Sequence, residues 1–473
     1  MHCGYITTLK DLRAHPNADR LMLGTCFINT VCVAKDKYVD GEIGVYFPVD
    51  LQLSMEFCEK NGLLAVYENG INVSGGYMDP AKRNVKAIKL RGEKSDGLFL
   101  PLSCLEYTGV DMDTLNVGDQ ITVVNGHEIC KKYIPKEKVV RVKNSGPKTK
   151  APKVKHQEVP TFFEHKDTEQ LAYNLAVFKP GDLIEITLKM HGTSQRTGYH
   201  KIHVGYKKTL WDKILRRPGT PVYDWGLTSG TRRTVLKDFE GGFYGSNAFR
   251  ESHAKKFEGK LFKGETVYYE VVGFTDTSAP IMATCDNKKL KDKEFIKQYG
   301  EETVFSYGCA PDGVKFYNQA AQTLAEKLND HAEKRLYPQS DMYVYRMTMT
   351  NEDGDTVEYT PDYMRYRCEQ MGVKCVPVFW SGFIPEHPGS AEDPTISAGE
   401  WVKNKAELFY DGADPIGLTH VREGVVVRII NRPSFAAYKH KNFSFKVLEG
   451  IIKDTADAPD MEEADGLDQE VAE

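Results

Sequence analysis

Lys189 closes an apolar, β-branched run, "LIEITLK", and is followed at once by "MHGTS", a histidine, a glycine and two hydroxyl residues. A lysine attacks phosphorus only as the free amine, whereas its ordinary pKa is about 10.4. Partial burial and nearby positive charge, from a metal ion or from basic side chains, would lower that value. Gly192 beside it would let a ligand's phosphates come close. Acids on two other strand-like runs, Glu270 in "YYEVVG" and Glu423 in "REGVVVR", are suited to a ribose hydroxyl and a magnesium ion. Lys439 and Lys441 in "YKHKNFSFK" alternate along a strand, so they share a face and can supply charge to a phosphate. Taken singly, each is an ordinary residue: a lysine on a solvated strand edge, or a glutamate on an exposed strand. Their joint occurrence is what carries weight.

The elements that must position these residues divide at a basic stretch. Between Lys131 and Lys155 there are ten Lys or Arg against one acid, Glu137, with three prolines interspersed, the composition of an exposed linker or of a strap touching phosphates. Before it, short apolar runs recur between turn signals: "LMLGTCFIN", "IGVYFPVD", "KAIKLRGEKSDGLFLPL" and "VGDQITVVNG". Their length and spacing predict a small β-barrel of the oligonucleotide-binding (OB) kind. The segment "HPNADRL", His15 to Leu21, resembles the opening of tRNA-binding barrel modules, and also reads as a plain capped turn. After the linker, "LIEITLKM", "TVYYEVVGF", "MYVYRMTM", "EGVVVRII" and "FSFKVLEG" read as strands. "VKFYNQAAQTLAEKLNDHAEKRL" reads as an amphipathic helix with Phe316, Ala320, Leu324 and Leu328 on one face. The fold class is therefore α+β, with a site between antiparallel sheets.

The expected domains are 1–128, the OB-like barrel; 129–158, the basic linker; 159–453, the site-bearing α+β domain; and 454–473, a disordered tail. That tail is acidic, with nine acids and no base after Lys453. With 473 residues and a net charge of -5, the composition is that of an ordinary globular chain. No apolar run approaches the roughly 18 residues of a membrane span, and the first residues lack the apolar core of a secretion signal. The expectation is a cytoplasmic protein with no membrane partner. The ten cysteines are scattered with no C-x-x-C pair, so reduced thiols are expected and a zinc ribbon is not. There is no Walker-type loop and no dinucleotide fingerprint.

Taken in order, the motifs resemble those of the covalent nucleotidyltransferases that pass through a lysyl-AMP, and most closely nick-sealing, ATP-dependent RNA ligases of the phage and kinetoplastid-editing type. "KMHGTS" resembles their nucleophile motif and implies Lys189 as the adenylated residue, with Gly192 beside the nucleotide. "TSGTRRT" resembles the basic motif that follows and implies Arg233 near the reacting phosphate. "YYEVVG" implies Glu270 on the ribose. "DMYVYRMTM" implies that Tyr345 stacks on adenine. "REGVVVR" and "YKHKNFSFKV" resemble the metal-site and closing motifs, implying Glu423 at a metal ion and Lys439 and Lys441 on the ATP α-phosphate. Lys446 is a third candidate for that phosphate contact. "FFEHKDTEQ" is expected near the adenine entrance.

The resemblance implies an adenylation domain of antiparallel, ATP-grasp-like sheets, with ATP and Mg2+ or Mn2+ as cofactors. It also implies RNA as partner, with 3′-hydroxyl and 5′-phosphate ends held in a nicked duplex or a broken tRNA, in a cell's cytoplasm or a virus's host. The sequence departs from DNA ligases and capping enzymes at His191 and Ser194, where those carry Asp and Arg. Two other classes remain open: a DNA ligase or capping-type nucleotidyltransferase, and a non-enzymatic RNA-binding protein with a degenerate ligase domain. The oligomeric state is not legible.

Overall fold

The computed structural model describes the chain apart from residues 135–158, 308–339, 390–394 and 456–473 and a few shorter gaps (1, 70, 216, 218, 241–243, 245–246, 277–278, 306 and 419). The amphipathic helix expected over residues 314–336, most of the basic linker and the acidic tail lie outside the described residues. The chain forms two compact units, one of Met1–Lys138 with Phe443–Pro459 and the other built around Val139–Asn442.

In the first unit, strands Leu98–Pro101, Ile43–Phe47, Gly4–Thr8 and Gln120–Ile121 form one antiparallel sheet. Lys10–Ala14, Leu21–Cys26 and Asn29–Ala34 form a second. Ile6, Val45, Phe47, Leu53, Phe57 and Leu105 are shut away in a shared core. The strand pairings do not close into a barrel among the described residues. The run "KAIKLRGEKSDGLFLPL" explains why: it breaks into a hairpin, Ala87–Leu90 with Glu93–Asp96, that pairs only with itself, and then a separate strand. His15, at the head of "HPNADRL", is buried, accepts from the Asn17 N–H at 3.1 Å and lies 3.0 Å from the Leu90 carbonyl. It serves as a turn residue here.

"FSFKVLEG" is a correction to the sequence reading, because Phe443–Thr455 is a helix and belongs to the first unit. Short apolar runs suit either element, and Phe443, Val447, Leu448, Ile451 and Ile452 recur at helical spacing.

The second unit is built on two large sheets, with a small pair, Cys285–Asp286 and Glu302–Thr303, apart from them. A five-stranded one runs Glu169–Gln170, Ala436–Lys441, Gly424–Ile429, Leu183–Lys189 and Val378–Phe383. A seven-stranded one is built around Thr193–Lys207, Glu265–Gly273 and Ser340–Thr350, with Thr220–Gly230 beyond the first of these. Pairing is antiparallel except at Glu169–Gln170 and Lys374–Cys375. Alternation explains Leu183–Lys189: Ile184, Ile186 and Leu188 are buried in an apolar core or against it, which turns Glu185, Thr187 and Lys189 to the other face.

Helix Pro361–Met371 starts on Thr360, whose hydroxyl accepts from the Tyr363 N–H, and ends at Gly372. It buries Met364, Cys368 and Met371 against the core of the seven-stranded sheet. Arg367 on this helix donates to both oxygens of Glu265, at 2.9 and 2.8 Å, and Tyr359 donates to the same carboxylate at 3.2 Å. Glu265 is fully buried, so removing its partner strands a charge. Arg367→Met is expected to cost about 3–5 kcal/mol, read as a fall in the denaturant midpoint; an unchanged midpoint would count against this anchoring.

Candidate functional site

The cleft lies within the second unit and draws on both of its large sheets. Lys189, Thr187, Glu185, Val426, Arg428 and Lys439 line it from the five-stranded sheet, and Ser194, Glu270 and Tyr345 from the seven-stranded one. Pairing register explains this concentration. Lys189, Gly424 and Lys441 lie side by side across three strands, as do Thr187, Val426 and Lys439 one step along, and Glu185, Arg428 and Ala437 a step further. The chain then crosses from one sheet to the other in three residues, Met190 to Gly192. The nucleophile candidate therefore stands where the two walls meet.

At this corner Glu423 is buried and faces two lysines, with Lys189 Nζ at 2.7 Å and Lys441 Nζ at 3.3 Å from Oε1. Its Oε2 has His191 Nδ1 at 3.5 Å. Burial acts to raise the Glu423 carboxyl, but the Lys189 and Lys441 ammoniums, with His191, override it and hold the pKa down to about 2. Gly424 follows Glu423 at φ 146, and a Cβ there would meet the His440 carbonyl oxygen at 2.1 Å. Only glycine lets the strand that bears Glu423 lie this close to the strand that bears Lys441.

The crossing segment is held from three sides. Arg250, buried, donates to the Ser194 carbonyl at 3.0 Å and to Thr193 Oγ1 at 2.7 Å. The His191 N–H donates to the buried Tyr307 hydroxyl at 2.9 Å, and the His191 ring packs on Phe305 at 4.5 Å. Gly192 is itself buried and is not among the residues lining the cleft; a Cβ on it would meet the Val271 carbonyl at 2.4 Å. Its place is explained by contact with the neighbouring strand, in contrast to the expected approach of phosphates.

Tyr345 lines the cleft with its hydroxyl 3.0 Å from Ser194 Oγ, and burial pushes its phenol up. His165 lies edge-on to Tyr345 at 5.0 Å, so "FFEHKDTEQ" does reach the cleft. Arg346 sits between the rings of Tyr268 and Phe435, 4.6 Å from each, and is paired with Glu358. Of these groups Phe435 lines the cleft.

The basic motif is placed differently from expectation. Arg232 lines the cleft and pairs with Asp167 at 2.5 Å, whereas Arg233 next to it is exposed. The reason lies in Arg196, which donates to the carbonyls of Thr231 and Arg232, at 2.8 and 2.5 Å, and fixes the turn. Burial acts to raise the Asp167 carboxyl, but the arginine it bonds, Arg232, with Lys439 and Arg233 nearby, holds it below the usual range. Lys446 does not join the cleft residues. It lies in the first unit's last helix and pairs with Asp96 at 2.6 Å. Of the expected site residues, Lys189, Glu270, Tyr345 and Lys439 line the cleft, Glu423 and Lys441 join Lys189 through their ion pairs without lining it, and Gly192, Arg233 and Lys446 are also off the wall.

Sequence reading missed Glu185, Thr187, Arg232, Arg365 and Arg428. Two of these could have been found, since residues two and four before Lys189 share its face on a strand. Glu185 is buried, and one of its oxygens accepts from Arg365 at 2.7 Å, while Oε1 has no protein partner among the described residues.

No family model matches the chain, and no curated protein does. Among solved structures it is similar to RNA ligase from Naegleria gruberi. A variant of that ligase with ATP and Mn aligns at a TM-score of 0.53 and 15% identity over 95% of this chain and 99% of that one. The ligase with pyrophosphate aligns at 0.53 and 15% over 94% and 98%. A variant with AMP and Mn gives 0.54 and 15% over 96% and 100%. The likeness is one of fold. More particularly, the chain has the fold of this RNA ligase along nearly its whole length.

Glu423 sets an acid limit on stability. Its folded pKa lies below the ordinary carboxylate value of about 4.3. The stabilisation is thus fully present above that pH and is lost as pH falls towards 2. Glu423→Gln is expected to remove roughly 3 kcal/mol at neutral pH and to flatten stability between about pH 5 and 2. Denaturant midpoints of both proteins at pH 6, 5, 4 and 3 test this, and parallel curves would refute it.

Proposed function

We propose that this chain is an ATP-dependent RNA ligase acting through a lysyl-AMP on Lys189. The observation that carries the proposal is the corner itself: Lys189 and Lys441 share the buried Glu423, at the meeting of two sheets that have the Naegleria gruberi ligase fold. In the first step Lys189, having released its ammonium proton to water, attacks the α-phosphorus of ATP as the free amine, the bond to the β-phosphate oxygen breaks, and pyrophosphate leaves. An oxygen of an RNA 5′-phosphate then attacks the same phosphorus and frees the lysine. Finally an RNA 3′-hydroxyl attacks the activated 5′-phosphorus, and AMP departs as the strand closes. Each step needs in-line placement and charge neutralisation more than acid–base catalysis.

Glu423 orients the amine and does not deprotonate it. A carboxylate held at about 2 is too weak a base to take the proton of an ammonium group. In this reading Lys439 and Lys441 meet the α-phosphate, Glu270 the ribose and Tyr345 the base. Arg232, with Arg233 behind it, takes up phosphate charge near the RNA end. Glu185 Oε1 is free to accept a hydrogen bond from an exocyclic amino group. Four residues of strand from Glu185 to Lys189 span about 13 Å, comparable to the reach from base edge to α-phosphate in a nucleotide.

A divalent cation fits this cleft. Glu423 Oε2 is buried with no close hydrogen bond, and Glu270 adds a second carboxylate. No group of three or more His, Cys, Asp or Glu could hold a metal by itself among the described residues, which suits Mg2+, an ion that keeps waters and takes substrate phosphates. When bound, it would offset charge on the α-phosphate oxygens.

The reading extends to RNA with 3′-hydroxyl and 5′-phosphate ends in a nicked duplex or broken tRNA, to an OB-like role for the first unit in gripping it, and to the cytoplasm. Among the described residues no helix is long and apolar enough to cross a membrane.

The test is incubation of protein stripped of bound nucleotide with magnesium and α-labelled ATP or GTP, followed by a denaturing gel. ATP should label the wild type and leave Lys189→Ala unlabelled, a loss of at least about a thousandfold in adenylation. Labelling by GTP instead would point to a capping-type enzyme. No label at all would refute the ligase reading.

A further inference from the structure

Strands Thr193–Lys207 and Thr220–Gly230 are paired from Arg196 opposite Gly230 to Lys207 opposite Thr220, with one shift of register between His203 and Gly205. Only the inner part of the first strand, Thr193–Gly198, has a third strand beside it. Further out the pair continues as a two-stranded ribbon, exposed from Val204 on one side and up to Asp224 on the other. At its tip is a short helix, Leu210–Ile214, closed by a capping box in which Thr209 and Asp212 bond each other reciprocally. This ribbon is well formed and yet buries almost nothing. Leu210 is 75% exposed, Trp211 70%, Tyr206 55% and Tyr223 49%. An apolar and aromatic surface of this kind marks a binding surface.

The charge around it identifies the partner. Lys207, Lys208 and Arg217 stand among these side chains and are exposed. Of the two acids on the ribbon, Asp212 is engaged in the cap, which leaves Asp224. The His203 ring lies 4.6 Å from Tyr206 and 5.6 Å from Tyr223, so three rings stand together beside the cationic tip. Flat rings interleaved with cations suit a polyanion with stackable faces. Continuity with the cleft decides between such a strand and an anionic lipid surface. The strand that leaves the tip at Thr220 runs inward to Gly230, two residues before Arg232 in the cleft wall. Its length is about 35 Å, so a ligand touching both Arg232 and the tip must be a long polyanion.

We propose that this ribbon is an RNA-binding arm, in which Tyr206, Trp211 and Tyr223 stack on bases and Lys207 and Lys208 contact phosphates of the strand whose end lies in the cleft. The proposal rests on the RNA ligase reading and names a surface which that reading does not require.

The experiment uses the full chain, a fluorescent nicked RNA duplex with a 5′-phosphate, and α-labelled ATP. Tyr206→Ala/Trp211→Ala/Tyr223→Ala should form lysyl-AMP within about twofold of wild type while its RNA Kd rises about tenfold or more. Lys207→Gln/Lys208→Gln should weaken RNA binding and lower the slope of log Kd against log salt by between about 1 and 2. Trp211→Phe keeps a ring at the tip; it should bind RNA nearly as wild type and lose the RNA-dependent quenching of tryptophan fluorescence. This variant keeps the test decisive if the triple variant folds poorly. Unchanged RNA affinity in the lysine variant together with unchanged quenching in Trp211→Phe overturns the proposal. So does self-association, or binding to phosphatidylserine vesicles, that depends on the tip while RNA affinity does not. Wild type that binds RNA through the ribbon but forms no lysyl-AMP refutes the ligase reading and leaves the arm standing. Lysyl-AMP formation with ribbon-independent RNA binding does the reverse.

Discussion

A single buried carboxylate facing two ammoniums organises this molecule. Glu423 stays charged out of water because Lys189 and Lys441, with His191, offset its burial. The triad constrains three strands at once, since the two lysines and Gly424 must lie in one cross-strand row. A slip of one residue in either pairing would turn a lysine into the apolar core. Register in the five-stranded sheet is thus fixed twice, by Ile184, Ile186, Val425 and Val427 on its core side and by charge in the cleft.

The second constraint is the short passage from one sheet to the other. Three residues leave little slack, and each is fastened: Met190 is buried, His191 is bound through its N–H, and Gly192 is pressed against Val271. Arg250 then grips the start of the next strand. The groups around the cleft therefore ride on strands whose spacing is set by backbone hydrogen bonds, with side chains locked by packing behind them. Such a site is ordered before any ligand arrives, which lowers the cost of reaching a reactive geometry.

Much of this was legible in the sequence where chemistry and strand periodicity coincide. Lys189, Glu270 and Lys439 fall on strands and converge on one cleft, and Glu423 stands just before the strand Gly424–Ile429, paired with Lys189. What was not legible depends on contacts distant in the chain. Arg232 faces the cleft in place of Arg233 because a buried arginine 36 residues earlier, Arg196, fixes the turn. Gly192 follows the needs of a neighbouring strand, which no local pattern reports. Lys446 misled because the apolar run around it suits strand and helix alike, and the run forms a helix in which Phe443, Phe445 and Leu448 are buried. In the first unit, the apolar runs gave the strands but not which of them pair, and the self-paired hairpin Ala87–Asp96 left the ladder open.

The helix Phe443–Thr455 makes the first unit discontinuous: its strands come from the beginning of the chain and its last helix from beyond Lys441. During synthesis the amino-terminal strands emerge first and must wait for some three hundred residues of the other unit before that helix, with Lys446 for Asp96, can arrive. Completion of the first unit thus requires that every residue of the cleft has already been synthesised. The chain has a built-in order of assembly in which the segment bearing Lys439 and Lys441 must precede the piece that finishes its neighbour.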